Sequence, residues 1–132
     1  RKEFEFMQIS KLPYSELQVM QFIWSQNKKT PSKDVILEME EKNSWKQTTT
    51  LTLISRLIKR DFLSVEKIGR YSYYEPKIAE KDYIQFETNN FMDTFYQGSL
   101  KNMLSLLNDN HKMKKDELED IQEWLENLKE DK

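Results

Sequence analysis

A row of hydroxyl-bearing side chains that ends in two cations lies between residues 48 and 59 of this 132-residue chain. On a helix with 100° per residue, one side of this segment carries Thr50, Leu53, Ile54, Leu57 and Ile58. The opposite side carries Thr48, Thr52, Ser55, Arg56 and Lys59. Short hydroxyl side chains let a helix approach a DNA groove closely, and cations neutralise phosphates. This side, with the neighbouring Thr49, predicts a contact surface for double-stranded DNA.

A glycine turn between two strand-like segments follows this helix. Residues 63–67 alternate apolar and polar side chains, Gly69 lies in the turn, and residues 71–75 are rich in tyrosine before Pro76 ends the strand. The resulting hairpin carries three side chains suited to a DNA backbone or minor groove near its tip, namely Lys67, Arg70 and Tyr71. Alternating aromatic residues such as Tyr73 and Tyr74 indicate a sheet packed on a core rather than a platform for stacked bases.

Two more helices precede the hydroxyl-bearing one. Ser15 is expected to cap the first helix, with Gln18 completing a capping box. Thr30 is expected to cap the second, with Pro31 at its first position. The three predicted helices cover residues 16–26, 31–42 and 47–60. The order helix, helix, helix, hairpin predicts a mainly α fold, a winged helix-turn-helix with a small β-hairpin wing.

The remainder of the chain predicts a helical dimerisation region. Helical segments are expected at residues 79–96, 99–108 and 115–130. Their apolar residues recur at spacings of three and four, which indicates packing on another helix. The set comprises Phe91, Phe95, Tyr96, Leu100, Met103, Leu104, Leu107, Leu118, Ile121, Trp124, Leu125 and Leu128. We predict a homodimer, and an intramolecular bundle is the alternative, because the spacing does not say whose helix lies opposite.

The charge is divided unequally along the chain. Its net charge is −2, yet residues 1–77 carry 14 basic and 10 acidic side chains whereas residues 78–132 carry 7 and 13. The basic excess falls on the third helix and hairpin, in Lys46, Arg56, Lys59, Arg60, Lys67, Arg70 and Lys77. Such a patch favours a nucleic-acid partner. A solvated charged face, or a winged helix used only for protein contact, is the competing interpretation.

No constellation of residues supports catalysis or a bound cofactor. The chain has no cysteine, one histidine at position 111 and no glycine-rich phosphate loop. The carboxylates Asp116, Glu117, Glu119, Asp120 and Glu123 share a helix with the leucines, so we interpret them as a solvated face rather than a metal site. Its apolar runs are too short to span a membrane and no signal peptide is recognisable, so we expect a cytoplasmic protein.

Two domains are predicted, a DNA-binding domain at residues 8–77 and a dimerisation domain at residues 78–132. The first methionine is Met7, so we expect residues 1–6 to have been added during cloning.

Three segments together resemble the penicillinase repressor family, the BlaI/MecI group to which copper-responsive repressors of the CopY type are related. Residues 15–24, SELQVMQFIW, are similar to the family's opening AEWEVMxxIW. Residues 45–57, WKQTTTLTLISRL, resemble its recognition helix W(S/x)xTTVxTLLxRL. Residues 66–76, EKIGRYSYYEP, resemble its wing EKxGRxYxYxP. The resemblance extends over about residues 8–130, by pattern more than by identity in the carboxy-terminal part.

The resemblance implies a dimeric winged-helix transcriptional repressor of palindromic TACA/TGTA operators. Matching by position assigns DNA contact to Gln47, Thr48, Thr49, Thr52, Arg56, Lys59, Lys67, Arg70 and Tyr71, to which the basic patch and the helical side add Lys46 and Ser55. The members best known for β-lactam control have basic residues where this chain has Thr48 and Leu51, which implies a different base preference.

The resemblance also implies a way of releasing the DNA. In the family's β-lactam resistance systems, a membrane sensor with a metalloprotease domain triggers cleavage of the repressor at an Asn-Phe bond, which corresponds to the region of Ser105 and Leu106. We therefore expect a membrane sensor protease as a partner, although this chain lacks the Asn-Phe pair there. It also lacks the cysteines through which CopY-type repressors sense metal. The operon would serve β-lactam resistance or a related stress response.

Overall fold

Helices dominate the computed structural model, which describes residues 9–110 and 113–131. The expectations for residues 1–6 and for His111 lie outside this part. The elements are α1 (Tyr14–Gln26), β1 (Thr30–Pro31), α2 (Ser32–Asn43), α3 (Gln47–Lys59), β2 (Leu63–Ile68), β3 (Tyr71–Pro76), α4 (Glu80–Tyr96), α5 (Leu100–Asp109) and α6 (Lys115–Glu130). The predicted fold class, mainly α with a β-hairpin wing, is confirmed. None of the described helices is both long and apolar enough to cross a lipid bilayer.

The apolar sides of α1, α2 and α3 form one core. On α3 the predicted inward side is buried at Thr50, Leu53, Ile54 and Leu57, and Ile58 packs against it. The buried residues of α1 that face the same core are Val19, Met20, Ile23 and Trp24, and those of α2 are Val35 and Met39. Because this apolar side fixes which way α3 faces, the hydroxyl-and-cation side lies outward.

The predicted hairpin forms, but it belongs to a three-stranded antiparallel sheet in the order β1-β3-β2. Its first strand is the segment interpreted above as the start of a helix. Thr30 is fully buried and pairs with Tyr74, and Pro31 pairs with Tyr73. The predicted cap and first helical position at Thr30 and Pro31 are therefore wrong, and α2 begins at Ser32. A two-residue edge strand is too short to show alternation, and an edge position tolerates the missing N–H of proline.

The predicted capping box of α1 is also wrong. The helix begins at Tyr14, and the carbonyl of Pro13 accepts a hydrogen bond from the N–H of Leu17 at 3.0 Å, with no side-chain cap. Gln18 instead reaches α2, where its Nε2 donates to Oδ1 of Asn43 at 3.4 Å. Proline supplies a helical start without a cap because its φ is already fixed and it has no N–H to satisfy.

Tyr83 attaches the start of α4 to the core. Its side chain is 2% exposed, with ring centroids 5.6 Å from Phe62 and 5.9 Å from Trp24. Its hydroxyl accepts the N–H of Leu12 at 2.8 Å and donates to Oε2 of Glu87 at 2.5 Å. Burial, and then the bond to Glu87, raise the pKa of this phenol well above its usual range, so it stays a donor.

The chain divides into two compact units between Glu87 and Thr88, within α4. The first unit therefore extends ten residues past the predicted domain boundary at 77/78. The physical reason is the burial of Tyr83, which makes the first two turns of α4 part of the winged-helix core. The sequence pattern assigned Tyr83 to the dimerisation domain because it lies in a helix with several other aromatic residues, although it was not part of the dimerisation set.

We predict that Tyr83→Phe lowers the free energy of unfolding of the first unit by about 1–2 kcal/mol, because the N–H of Leu12 loses its buried acceptor. Urea denaturation followed by circular dichroism measures this change. The matched control is Tyr14→Phe, which removes the same hydroxyl from a side chain that is 73% exposed and should leave the unfolding midpoint unchanged. Equal effects of both substitutions would contradict the assignment.

Candidate nucleic-acid interface

The predicted DNA-binding side chains of the third helix all lie on the surface. The apolar side of α3 packs on α1 and α2, and the exposed side carries Lys46, Gln47, Thr48, Thr49, Thr52, Ser55, Arg56 and Lys59. Lys46 immediately precedes the helix with an extended backbone, so the exposed set begins at the amino-terminal end of α3. All eight residues are exposed, and Thr48, Thr49, Thr52, Ser55, Arg56 and Lys59 share one side of α3, a placement compatible with a helix lying in a major groove.

The hydroxyl and the methyl group of Thr52 are suited to different contacts. Its hydroxyl donates to the backbone carbonyl of Thr48, one turn earlier, at 2.9 Å. This bond within the helix uses the single donor of the hydroxyl, so the exposed side chain offers an external partner its γ-methyl group and the acceptor lone pairs of its oxygen, but no donor for a phosphate. A methyl group in a major groove packs against the 5-methyl group of thymine. Thr52 is thus better suited to reading a thymine than to binding a phosphate.

The wing places its predicted residues at an exposed tip. Gly69 adopts φ +65° there, a conformation that favours glycine. Lys67, Arg70 and Tyr71 are all exposed, Tyr71 by 60%. Tyr71 lies directly across the strands from Ile68, which is 50% exposed. Sequence reasoning missed Ile68, which looks like an ordinary strand residue until the register places it beside Tyr71 at the tip.

Ion pairs divide the predicted basic patch into two groups. Lys77 lies 3.2 Å from Asp61, and Arg60 lies 2.9 Å from Glu16. Glu66 on the wing forms an ion pair with Lys29, and this hydrogen bond and charge raise the pKa of Lys29. Within residues 9–110 and 113–131, no ion pair involves the cations Lys46, Arg56, Lys59, Lys67 and Arg70.

Glu16, Asp61 and Glu66 are thus paired with other cations, which leaves five cations of this surface without an ion pair among the described residues. Positive charge on an exposed helix and wing attracts the phosphates of a duplex and releases their counterions.

The second unit leaves its apolar residues uncovered. No side chain of α5 or α6 is buried. Phe95 is 65% exposed, Trp124 54% and Leu100 46%, and the rest of the predicted dimerisation set is exposed or half-buried. On α5, Ser105 and Leu106, at the position of the predicted cleavage bond, are both exposed. The described residues of the second unit thus present large apolar side chains to solvent.

The acidic side chains of α6 lie on its surface. Residues 9–110 and 113–131 contain no group of three or more histidine, cysteine, aspartate or glutamate side chains placed to hold an ion. The carboxylates considered in the sequence are exposed, and Asp116, Glu117 and Asp120 line a shallow surface depression together with Lys114. This arrangement fits the solvated face that the sequence indicates.

The whole-chain comparisons point to one family. The family model described as "Penicillinase repressor" matches residues 12–127. The penicillinase repressor of Bacillus licheniformis is 32% identical over 121 residues, which cover 92% of this chain and 94% of the relative. The methicillin resistance regulatory protein MecI of Staphylococcus aureus is 28% identical over 112 residues, covering 84% of this chain and 89% of the relative.

Solved structures match the winged-helix part. The DNA-binding domain of the repressor BlaI is 36% identical, with a TM-score of 0.51 over 55% of this chain and 88% of that chain. Monomeric BlaI of Bacillus licheniformis in complex with the blaP half-operator is likewise 36% identical, with a TM-score of 0.50 over 57% of this chain and 90% of that chain. The match of the family model over most of the chain, and relatives of similar length, show that the chain belongs to the penicillinase repressor family of transcriptional repressors.

Proposed function

We propose that the chain is a homodimeric transcriptional repressor that binds a palindromic operator with α3 in the major groove and the wing on the adjacent backbone. The observation that carries this proposal is the exposed side of α3. Hydroxyl side chains, the methyl group of Thr52 and the cations Arg56 and Lys59 lie together there. The structural relative that binds the blaP half-operator supports it, since its winged-helix domain is 36% identical to this one.

A second copy of the chain is the proposed partner of the exposed apolar faces in α4, α5 and α6. Burying leucine, phenylalanine and tryptophan side chains that are 37–65% exposed stabilises association without any charged partner. Two copies related by a two-fold axis present two α3 helices, which matches a palindrome whose half-sites lie about 34 Å, or a multiple of it, apart. An intramolecular bundle would instead leave the protein a monomer, so the molecular mass in solution distinguishes the homodimer from the bundle.

The proposal extends to regulation. Curated relatives named for penicillinase repression and methicillin resistance favour control of β-lactam resistance or a related stress operon. Release from DNA would then come from a membrane sensor protease acting near Ser105 and Leu106, which lie on the exposed surface of α5. A repressor of this type works in the cytoplasm, where its operator is.

Operator binding is the direct test. We expect the chain to bind a duplex with a TACA/TGTA palindrome more tightly than a scrambled duplex of equal composition in a mobility-shift assay. With about five phosphate contacts per protomer, the logarithm of the association constant should fall with the logarithm of salt concentration with a slope of about −9. A footprint on the region upstream of its own gene should centre on a palindrome. Equally weak binding to every duplex would instead favour the winged helix used for protein contact.

Substitutions on α3 separate base reading from phosphate binding. We predict that Thr52→Val keeps operator affinity because it keeps the methyl group, whereas Thr52→Ser and Thr52→Ala lower it about fivefold or more. Arg56→Ala should weaken binding to operator and scrambled duplexes alike and make the dimer's salt slope shallower by about two. Titration by fluorescence anisotropy at several salt concentrations measures both. Loss of affinity in Thr52→Val but not in Thr52→Ser would reverse the assignment.

The dimer is tested by analytical ultracentrifugation. We predict that Leu125→Glu shifts the mass toward the monomer, because a charge enters the apolar face of α6. Asn127→Glu adds the same charge to the opposite side of the same helix and should leave the dimer intact. A wild-type mass equal to one chain at every concentration would rule out this interface.

A further inference from the structure

A charged side chain is buried where α1 meets the end of α3. Glu16, the third residue of α1, is 1% exposed, and its Oε1 lies 2.9 Å from Nε of Arg60. Arg60 is the residue directly after α3, and its side chain is 37% exposed. Among the ion pairs of the described residues, this one has a partner removed from solvent, and it joins two different helices.

The pair is an electrostatic contact rather than a well-aligned hydrogen bond. The contact does not qualify as a hydrogen bond, and among the described residues Oε1 of Glu16 is a buried oxygen without a hydrogen-bond partner. Burying a carboxylate is costly, and an apolar pair of similar volume is often as stable as a buried ion pair. Stability alone therefore gives no reason for glutamate at this position, whereas the fixed distance between two elements does.

The ion pair acts on the end of α3 that faces DNA. The N–H of Arg60 donates to the carbonyl of Arg56 at 2.9 Å, so the backbone of Arg60 continues the last turn of the helix. Arg56 and Lys59 on that turn are two of the unpaired cations of the proposed interface. The apolar side of α3 sets its rotation, and the contact of the guanidinium with Glu16 on α1 adds a charged constraint on the position of the turn from which both cations project.

The other contacts at this end of α3 do not give the same constraint. Leu57 packs in the core and helps set which side of α3 faces inward, but apolar packing is non-directional and leaves small shifts of the turn possible. Asp61, in the following turn, forms an ion pair with Lys77, but its side chain is 79% exposed, and exposed pairs contribute little. Of these three contacts at the end of α3, the one between Glu16 and Arg60 is both charged and partly buried, so it restrains the turn more than the other two.

We propose that Glu16 is a positioning residue for operator recognition. By holding Arg60 on α1, it sets the end of α3 so that Arg56 and Lys59 meet the DNA in register, and Arg60 itself does not bind a phosphate. This inference rests on the proposed function, because it concerns how the same surface recognises an operator.

The test compares the affinity of each variant for the palindromic duplex and for the scrambled duplex. Glu16→Gln should lower affinity for the palindrome about tenfold, because α3 loses its alignment with the bases. Its affinity for the scrambled duplex should stay equal or rise, since the freed Arg60 becomes available to phosphates. Partial unfolding would lower both affinities by one factor, so the ratio of the two distinguishes positioning from simple destabilisation.

A double-mutant cycle identifies Arg60 as the intermediary. Arg60→Gln should lower affinity for the palindrome as much as Glu16→Gln does, without raising affinity for the scrambled duplex, and the double variant should lower affinity for the palindrome no further. Arg60→Lys keeps the charge but not the planar guanidinium, and should give a smaller loss in the same direction. This variant also serves as the test if Glu16→Gln fails to fold by circular dichroism.

The matched control is Glu38→Gln. Glu38 also forms an ion pair, with Lys42 at 3.0 Å, but both residues belong to α2, so the pair joins no second element. Its loss should leave the ratio unchanged. The inference is overturned if Glu16→Gln leaves the ratio at the wild-type value, or if Arg60→Gln lowers both affinities and flattens the salt dependence as a phosphate contact would. A wild-type chain with no preference for the palindrome would overturn the proposed function itself.

Discussion

The burial of one side of α3 against α1 is the constraint on which the rest of the winged-helix unit depends. Leu57 is fully buried and Ile54 is 2% exposed, and each such side chain stabilises the fold by about 1.5–3 kcal/mol. Net stabilities of small domains are only about 5–15 kcal/mol, so a few of these contacts decide whether the unit folds. The same contacts decide which residues of α3 face solvent, because burying one side of a helix exposes the opposite side.

The sequence predicted α3 well for this physical reason. A three-and-four repeat of apolar residues specifies a buried side, so the exposed positions of Thr48, Thr52 and Arg56 followed from periodicity alone. The wing was predictable because Gly69 supplies a conformation that other residues rarely adopt. Local patterns of this kind need no knowledge of distant contacts.

Features that depend on contacts between distant parts of the chain were not predictable. In the sequence, Thr30 before Pro31 has the pattern of a helix cap. Its actual partner, Tyr74, lies 44 positions away, so no local pattern indicates the strand pairing. Glu16 looks like a solvated residue of a first helical turn, since only Arg60, far along the chain, shows why a carboxylate is buried there. Tyr83 lies within the predicted dimerisation domain, and only the bond of its hydroxyl to the N–H of Leu12 shows that it belongs to the winged-helix unit. Pairing, charge burial and domain boundaries thus require the tertiary structure.

The position of the unit boundary has a consequence for any cut in α5. All buried residues of the winged-helix core, including Tyr83, lie before residue 88, so a chain severed near Ser105 keeps that core whole. The fragment would remain folded and would still fit a half-site. In the proposed dimer, such a cut would remove avidity, the gain in affinity from tethering two weak binding units to one operator. Induction by proteolysis would therefore be a change in valence, because the amino-terminal product keeps the winged-helix unit but no longer carries a second copy of it to the same operator.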